Sequence, residues 1–274
     1  MLTVPMPRRH SIVLRLLLPL ALPVTLTGCL ASTQQEVQLG QNYAAQINRQ
    51  LPLITDPEVT RYISVLGDSL ASVADDRNLD WHFYVVDSPE INAFAVPGGF
   101  IYVNRGLIEK SATLSELAGV IGHEIGHVTN RHSMKQMRKG TVANIGITAG
   151  CILMPSACQT PGADVLINAG GALAFSKFSR DDERQADETG IAVTVRAGID
   201  PRGIPAMFRT LDAERKSKPG ALTGFFSSHP MPAERVEDTQ VMISRIDPAI
   251  LSTLTVDSQN FQQFKRRLAS LPRR

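Results

Sequence analysis

His123-Glu124-Ile125-Gly126-His127 is the feature that most narrows what this chain can become. Two histidines four apart lie on one helical face, about one turn from each other. Leu117, Val120, Ile121, Ile125 and Val128 recur with helical period, and Thr113 with Glu116 has capping-box spacing. These signals predict a helix over 114–131. Both imidazoles of such a pair can reach one Zn²⁺ about 2.0–2.1 Å from each nitrogen, so one zinc per chain is the expected cofactor. Glu124 lies beside that face, where its carboxylate can accept a proton from water attacking a carbonyl and return it to the leaving amine.

Two histidines do not complete a zinc site. A third histidine six residues after the second is excluded, because Ser133 holds that position and Asn130 replaces the glycine such a pattern needs. His132 is one residue out of register. A glutamate from another helix is the alternative, and the segment 178–190 supplies one. Glu183 and Asp187 are four apart on one face, so Glu183 can bind the metal while Asp187 accepts a hydrogen bond from a ligand histidine. Glu188 projects about 100° away from Asp187 and is the poorer partner. A solvated acidic face accounts for Asp181 and Asp182.

The first 28 residues have the order of an export signal: Arg8 and Arg9, an apolar stretch over 12–26, then small residues before Cys29. From Cys29 onward, 25 basic and 26 acidic residues leave a net charge of −1, which offers no electrostatic case for nucleic acid. Leu26-Thr27-Gly28-Cys29 resembles a bacterial lipoprotein box, with Cys29 as the lipidation site and an acyl anchor replacing any spanning helix. Leu30 in place of Asp favours the outer membrane of a Gram-negative cell by resemblance to lipoprotein sorting. Residues 29–274 then form a single domain. Cys151 and Cys158 remain as an even pair in an exported chain, so a disulfide is expected, worth about 2.5 kcal/mol for so short a loop, against two buried thiols.

Periodicity and caps predict further helices over 35–51, 57–73 after an Asp56 cap, 181–197, 201–216 after Asp200, 233–246, and 261–270 after Asn260. The β-branched and aromatic runs 81–86, 93–96 and 100–103 predict a small sheet. The fold class is α+β, mainly helical. Between 141 and 163 there are 23 residues without a charge. Length alone admits a membrane span, but Gly, Asn, Thr, Pro and the cysteine pair interrupt the segment, and a helical hairpin against the cleft or a partner is favoured over 141–176.

HEIGH, the ExxAD run from Glu183, Asn92-Ala93-Phe94-Ala95-Val96-Pro97-Gly98-Gly99, and His229-Pro230 with Arg235 occur in the order found in the HtpX/BepA/LoiP-type zinc metalloendopeptidases, which include the CAAX prenyl proteases. The chain is similar to them over about 35–246, and to short lipoprotein members such as LoiP in lacking long additional segments. The resemblance implies a gluzincin-type zincin fold, zinc on His123, His127 and Glu183, catalysis by Glu124, and Asp187 behind a ligand histidine. It also implies that the strand around 93–96 is a sheet edge beside the zinc, where Asn92, Ala93, Phe94 and Ala95 contact an extended substrate; a core strand with a tight turn is the competing reading. His229 either polarises the substrate oxyanion, with Arg235 as a second positive group, or takes the fourth zinc position and holds the enzyme inactive. His82 and His132 read as structural.

The function expected is a membrane-anchored periplasmic endopeptidase acting on misfolded or unassembled envelope proteins, with outer-membrane assembly machinery as a possible partner. The competing functions are a chaperone or assembly factor that seldom cuts, and hydrolysis of a non-peptide bond.

Overall fold

The structure, a computed structural model, describes residues 32–139, 177–217, 229 and 234–273. Cys29, the cysteine pair, the leader and the apolar segment 141–176 lie outside the described residues. Among the described residues, no helix is long and apolar enough to cross a membrane.

Helix α1 (Thr33–Gln50) opens with a full capping box between Ser32 and Gln35, and α2 (Pro57–Ala74) follows Asp56, whose carboxylate accepts from the backbone N–H groups of Glu58 and Val59. Strands β1 (His82–Val86), β2 (Ala93–Val96) and β3 (Phe100–Asn104) make one sheet in the order β1-β3-β2. β1 runs parallel to β3 and β2 antiparallel to it. Side chains alternate across the sheet. Phe83, Val85, Ala93, Ile101 and Val103 join the main core with α2 and α4, whereas Val96, Phe100 and Tyr102 pack with Tyr43, Ala44 and Ile47 of α1. The sheet is thus one layer between α1 and the remaining helices.

A short helix α3 (Arg105–Lys110) leads into α4 (Leu114–Thr129), the predicted HExxH helix, which is buried along nearly its whole length. Its cap differs from the expected box: Thr113 accepts from Glu116 N–H, but the Glu116 carboxylate takes the N–H of Ala112 at 2.7 Å. A helical stretch over 132–139 follows. Then come α5 (Arg180–Arg196), α6 (Gly203–Ser217), α7 (Glu234–Ser244), α8 (Pro248–Thr253) and α9 (Gln259–Ser270). The cap of α9 is Ser258, whose hydroxyl accepts from Phe261 N–H, rather than Asn260. Asp200 holds a tight turn ahead of α6 by accepting from Arg202 N–H.

What positions the site is the closeness of α4 and α5. A Cβ built on Gly126 would stand 3.0 Å from Ala186 Cα, and one on Gly190 would stand 3.1 Å from the backbone nitrogen of His123. Glycine at these crossings lets the two backbones approach until short carboxylate side chains on α5 reach the imidazoles of α4.

Candidate metal centre

α4 carries His123, Glu124 and His127, each 3% exposed or less. α5 begins at Ser179, capped reciprocally by Asp182, and its acidic first turn suits the positive end of the helix dipole. That start puts Glu183 and Asp187 on successive turns facing α4. Four donor atoms, from His123, His127, Glu183 and His229, converge within 4.8 Å of one another.

Four of the six donor spacings come close to the edge of a tetrahedral donor set. His123 Nε2 lies 3.0 Å from His127 Nε2 and 3.4 Å from His229 Nδ1. Glu183 Oε1 lies 3.1 Å from His229 Nδ1 and 3.5 Å from His127 Nε2. Donors held about 2.0–2.1 Å from a central zinc stand about 3.3 Å apart at a tetrahedron's edges. Charge agrees: with neutral imidazoles, the described carboxylates of Glu124, Glu183 and Asp187 against the guanidinium of Arg235 sum to −2, which a divalent cation cancels. The residues present fit a metal ion.

Asp187 Oδ1 is 2.8 Å from His123 Nδ1, the hydrogen bond expected of a ligand histidine's other nitrogen. Burial opposes charge on His123, yet hydrogen bonds to Asp187 and Glu183 raise its pKa to about 9. Burial drives His127 the other way, well below the usual histidine range, with the charges of His123 and His229 adding to the effect. Asp187 is itself held below the usual carboxylate range, since Arg235 and His123 outweigh its burial.

Arg235, read in the sequence as a positive group for an oxyanion, is seated on α5. Its Nε and Nη2 donate to Asp187 at 2.9 and 2.6 Å, and Nη1 lies 2.6 Å from Glu183 Oε2. The guanidinium also stacks 4.4 Å over the Phe208 ring.

Both oxygens of Glu124 are buried with no hydrogen-bond partner among the described residues. Burial pushes its pKa up, the direction that makes a carboxylate a better base near neutrality. His229 Nε2 is 3.5 Å from Glu124 Oε1.

Among the described residues β2 is an edge strand, and it packs on α4. Ala93 and Ala95 turn to the core shared with α4, while Phe94 stacks on Tyr102 at 4.8 Å on the α1 side. Asn92 precedes the strand, and its Oδ1 is buried with no hydrogen-bond partner among the described residues. Glu188 is exposed and pairs with Arg184 at 2.6 Å.

Two residues carry more than the sequence reading allows them. Phe178 stacks on the His127 ring with centroids 3.9 Å apart. His132, fully buried, sets Nδ1 2.9 Å from His127 Nδ1. Aromatic or histidine identity was the signal available, but neither position belongs to a ligand pattern.

The profile described as Peptidase family M48 matches residues 57–243. The Beta-barrel assembly-enhancing protease of Escherichia coli K12 is 33% identical over 251 residues, 89% of this chain and 50% of that protein. Metalloprotease LoiP of the same organism is 30% identical over 183 residues, 66% of this chain and 69% of its own. The Mitochondrial metalloendopeptidase OMA1 of Arabidopsis thaliana is 33% identical over 172 residues, 61% of this chain and 33% of its own. The chain spans about half the length of the first of these relatives. Since the matched segment runs from the start of α2 into α7, it encloses every donor of the cluster and the residues that hold them, and the chain belongs to peptidase family M48.

Proposed function

We propose that this protein is a zinc-dependent endopeptidase that cleaves unfolded or unassembled polypeptides of the bacterial envelope. The observation that carries the reading is the convergence of His123, His127 and Glu183 beside a buried carboxylate, Glu124, that has no hydrogen-bond partner among the described residues. His123, His127 and Glu183 would hold the metal. When bound, zinc supplies Lewis-acid polarisation of water and of the scissile carbonyl.

Glu124 takes the proton of the attacking water and delivers it to the leaving amine, and its raised pKa suits both halves of that cycle. Asp187 fixes the tautomer of His123 by accepting at Nδ1, and Arg235 holds Asp187 and Glu183 in place. The outer edge of β2 adds an extended substrate as a further strand through main-chain hydrogen bonds, with Asn92, Ala93, Phe94 and Ala95 along the contact. Because Ala93, Ala95 and Phe94 are engaged by the core and by Tyr102, the backbone does most of the recognition and side-chain selectivity is low. His229 is the fourth donor in the resting arrangement and would close the position that water needs for as long as its imidazole stays there.

Export, lipidation at Cys29, placement in the outer membrane facing the periplasm, and a Cys151–Cys158 disulfide complete the proposal. The motif at Leu26–Cys29 and the two remaining cysteines support them. The relation to a protein named for β-barrel assembly favours clients on the outer-membrane assembly route.

Metal content and casein cleavage test the reading on the purified protein, Glu124→Gln and Glu183→Ala. The expected pattern is one zinc per chain, kept in Glu124→Gln with cleavage abolished, and lost in Glu183→Ala. A folded wild-type protein without zinc overturns it, and rescue of an envelope defect by Glu124→Gln would favour a chaperone.

A further inference from the structure

A ligand imidazole that binds metal through Nε2 keeps one proton, on Nδ1, and that proton needs an acceptor when the ring is buried. For His123 the acceptor is Asp187. For His127 no carboxylate of the described residues is in that place: His127 Nδ1 faces His132 Nδ1 at 2.9 Å. Two imidazole nitrogens at hydrogen-bond distance can share only one proton, so a donating His127 requires His132 to accept at Nδ1 and carry its own proton on Nε2. Gln185 Oε1 stands 3.3 Å from His132 Nε2, and Asp182 Oδ1 stands 3.7 Å away. Every proton along the line from His127 to α5 is therefore assigned by geometry.

The backbone is bent to make this contact. α4 ends at Thr129, and Arg131 adopts φ 56°, left-handed backbone that a residue other than glycine seldom takes. That single residue returns the chain, so that His132 lies beside the last turn of α4 rather than running on past it. Arg131 is held there by Glu36 of α1, with Nε 2.7 Å from a carboxylate that is 1% exposed. The same carboxylate binds Arg77 at 3.1 Å, and Arg77 donates to the Val128 carbonyl at 3.0 Å.

We infer that His132 is a positioning residue for the metal site: as an Nε2-protonated acceptor aimed by the left-handed turn at Arg131, it fixes the tautomer and ring orientation of His127. A neutral acceptor differs in kind from the carboxylate behind His123. It orients the ring without adding a negative charge to a cluster whose charged groups already balance a divalent cation. The inference rests on the metal reading above and adds to it a residue outside the ligand set.

Zinc affinity decides it, measured by competition with a chromogenic chelator on the full chain in detergent, as wild type, His132→Leu, His132→Asn and Gln185→Met. Leu fills the ring's volume without an acceptor and should weaken zinc binding about 10- to 100-fold. Asn restores an oxygen near the place of Nδ1 and should return affinity to within a few-fold of wild type. Gln185→Met, at a partly exposed position, removes the acceptor of the His132 proton and should give a smaller loss in the same direction. Circular dichroism of the metal-free forms checks folding, and if His132→Leu does not fold, Gln185→Met decides. Unchanged affinity in His132→Leu and Gln185→Met overturns the inference, as does an Asn variant no tighter than Leu, since volume alone would then explain the loss. Wild type that binds one zinc while these variants bind equally well leaves the metal reading standing without His132; wild type that binds none removes both.

Discussion

Arg235 grips Asp187 with two parallel hydrogen bonds, Nε to Oδ2 at 2.9 Å and Nη2 to Oδ1 at 2.6 Å, and both side chains are buried. A guanidinium fork on a carboxylate is among the stronger pairings a protein makes, and here it leaves Oδ1 placed to accept from His123. Removing the arginine strands a buried carboxylate. Arg235→Met should therefore destabilise the metal-free protein by about 3–5 kcal/mol in urea denaturation. Arg235→Lys should recover only part, because an ammonium cannot supply the fork. Full stability in Arg235→Met would mean that the pairing is dispensable.

The metal-free protein should lose stability as pH rises past neutrality. His123 has a folded pKa raised to about 9, against 6.5 for the reference state, so its contribution is complete below 6.5 and is lost as pH climbs through 9. Thermal melts in EDTA between pH 6 and pH 9.5 check the slope. Asp187→Asn should flatten it, since the hydrogen bond from His123 to this carboxylate holds the proton on. Zinc-loaded protein should show no such alkaline slope, because a bound imidazole cannot take the proton at the same nitrogen. On the acid side the sign reverses. Asp187 is depressed below its ordinary 3.8, so its share of stability is present above that value and disappears as pH falls through the lower folded one.

His229 Nδ1 stands 3.1 Å from Glu183 Oε1 and 3.4 Å from His123 Nε2. If this nitrogen closes the resting site, His229→Ala should raise basal casein cleavage several-fold while weakening zinc affinity only modestly. A fall in turnover with zinc unchanged would instead make His229 a stabiliser of charge on the substrate oxygen. Unchanged turnover would take it out of the chemistry.

The crossing of α4 and α5 makes a steric prediction. A side chain at Gly126 meets the Ala186 backbone at 3.0 Å, and backbone cannot swing aside as a flexible side chain can. Gly126→Val should cost about 1–3 kcal/mol and, by parting the helices, weaken zinc binding along with stability. Chelator competition on folded Gly126→Val reads the second effect. Wild-type affinity there would show that Glu183 reaches the metal without the close crossing.

Much of this was legible in local signals. A proline after Asp56, the Thr113 start of α4 and the aromatic β-branched runs at 81–86 and 100–103 act within a few residues, and the elements they predict form within a residue or two of the expected bounds. The i to i+4 pairs His123 with His127 and Glu183 with Asp187 are legible because helical geometry alone puts each pair on one face. Helices α3 and α8, six residues each, lack the length over which a period can be read.

Contacts between distant segments have no such local sign. That β1 lies parallel to β3 and leaves β2 at the edge depends on how the sheet fits between α1 and α4, and no run of residues states it. Arg235 reads only as a positive charge until α7 packs on α5 and seats it on Asp187 and Glu183. His132 looks misplaced in sequence because a ligand pattern assumes a continuous helix, whereas the left-handed turn at Arg131, tied to Glu36 from α1, returns the chain toward His127. The donors His123, His127 and Glu183 were determined within single helices by backbone periodicity; their meeting point and the partners that orient them were decided by packing between helices, where a glycine at each crossing sets the distance.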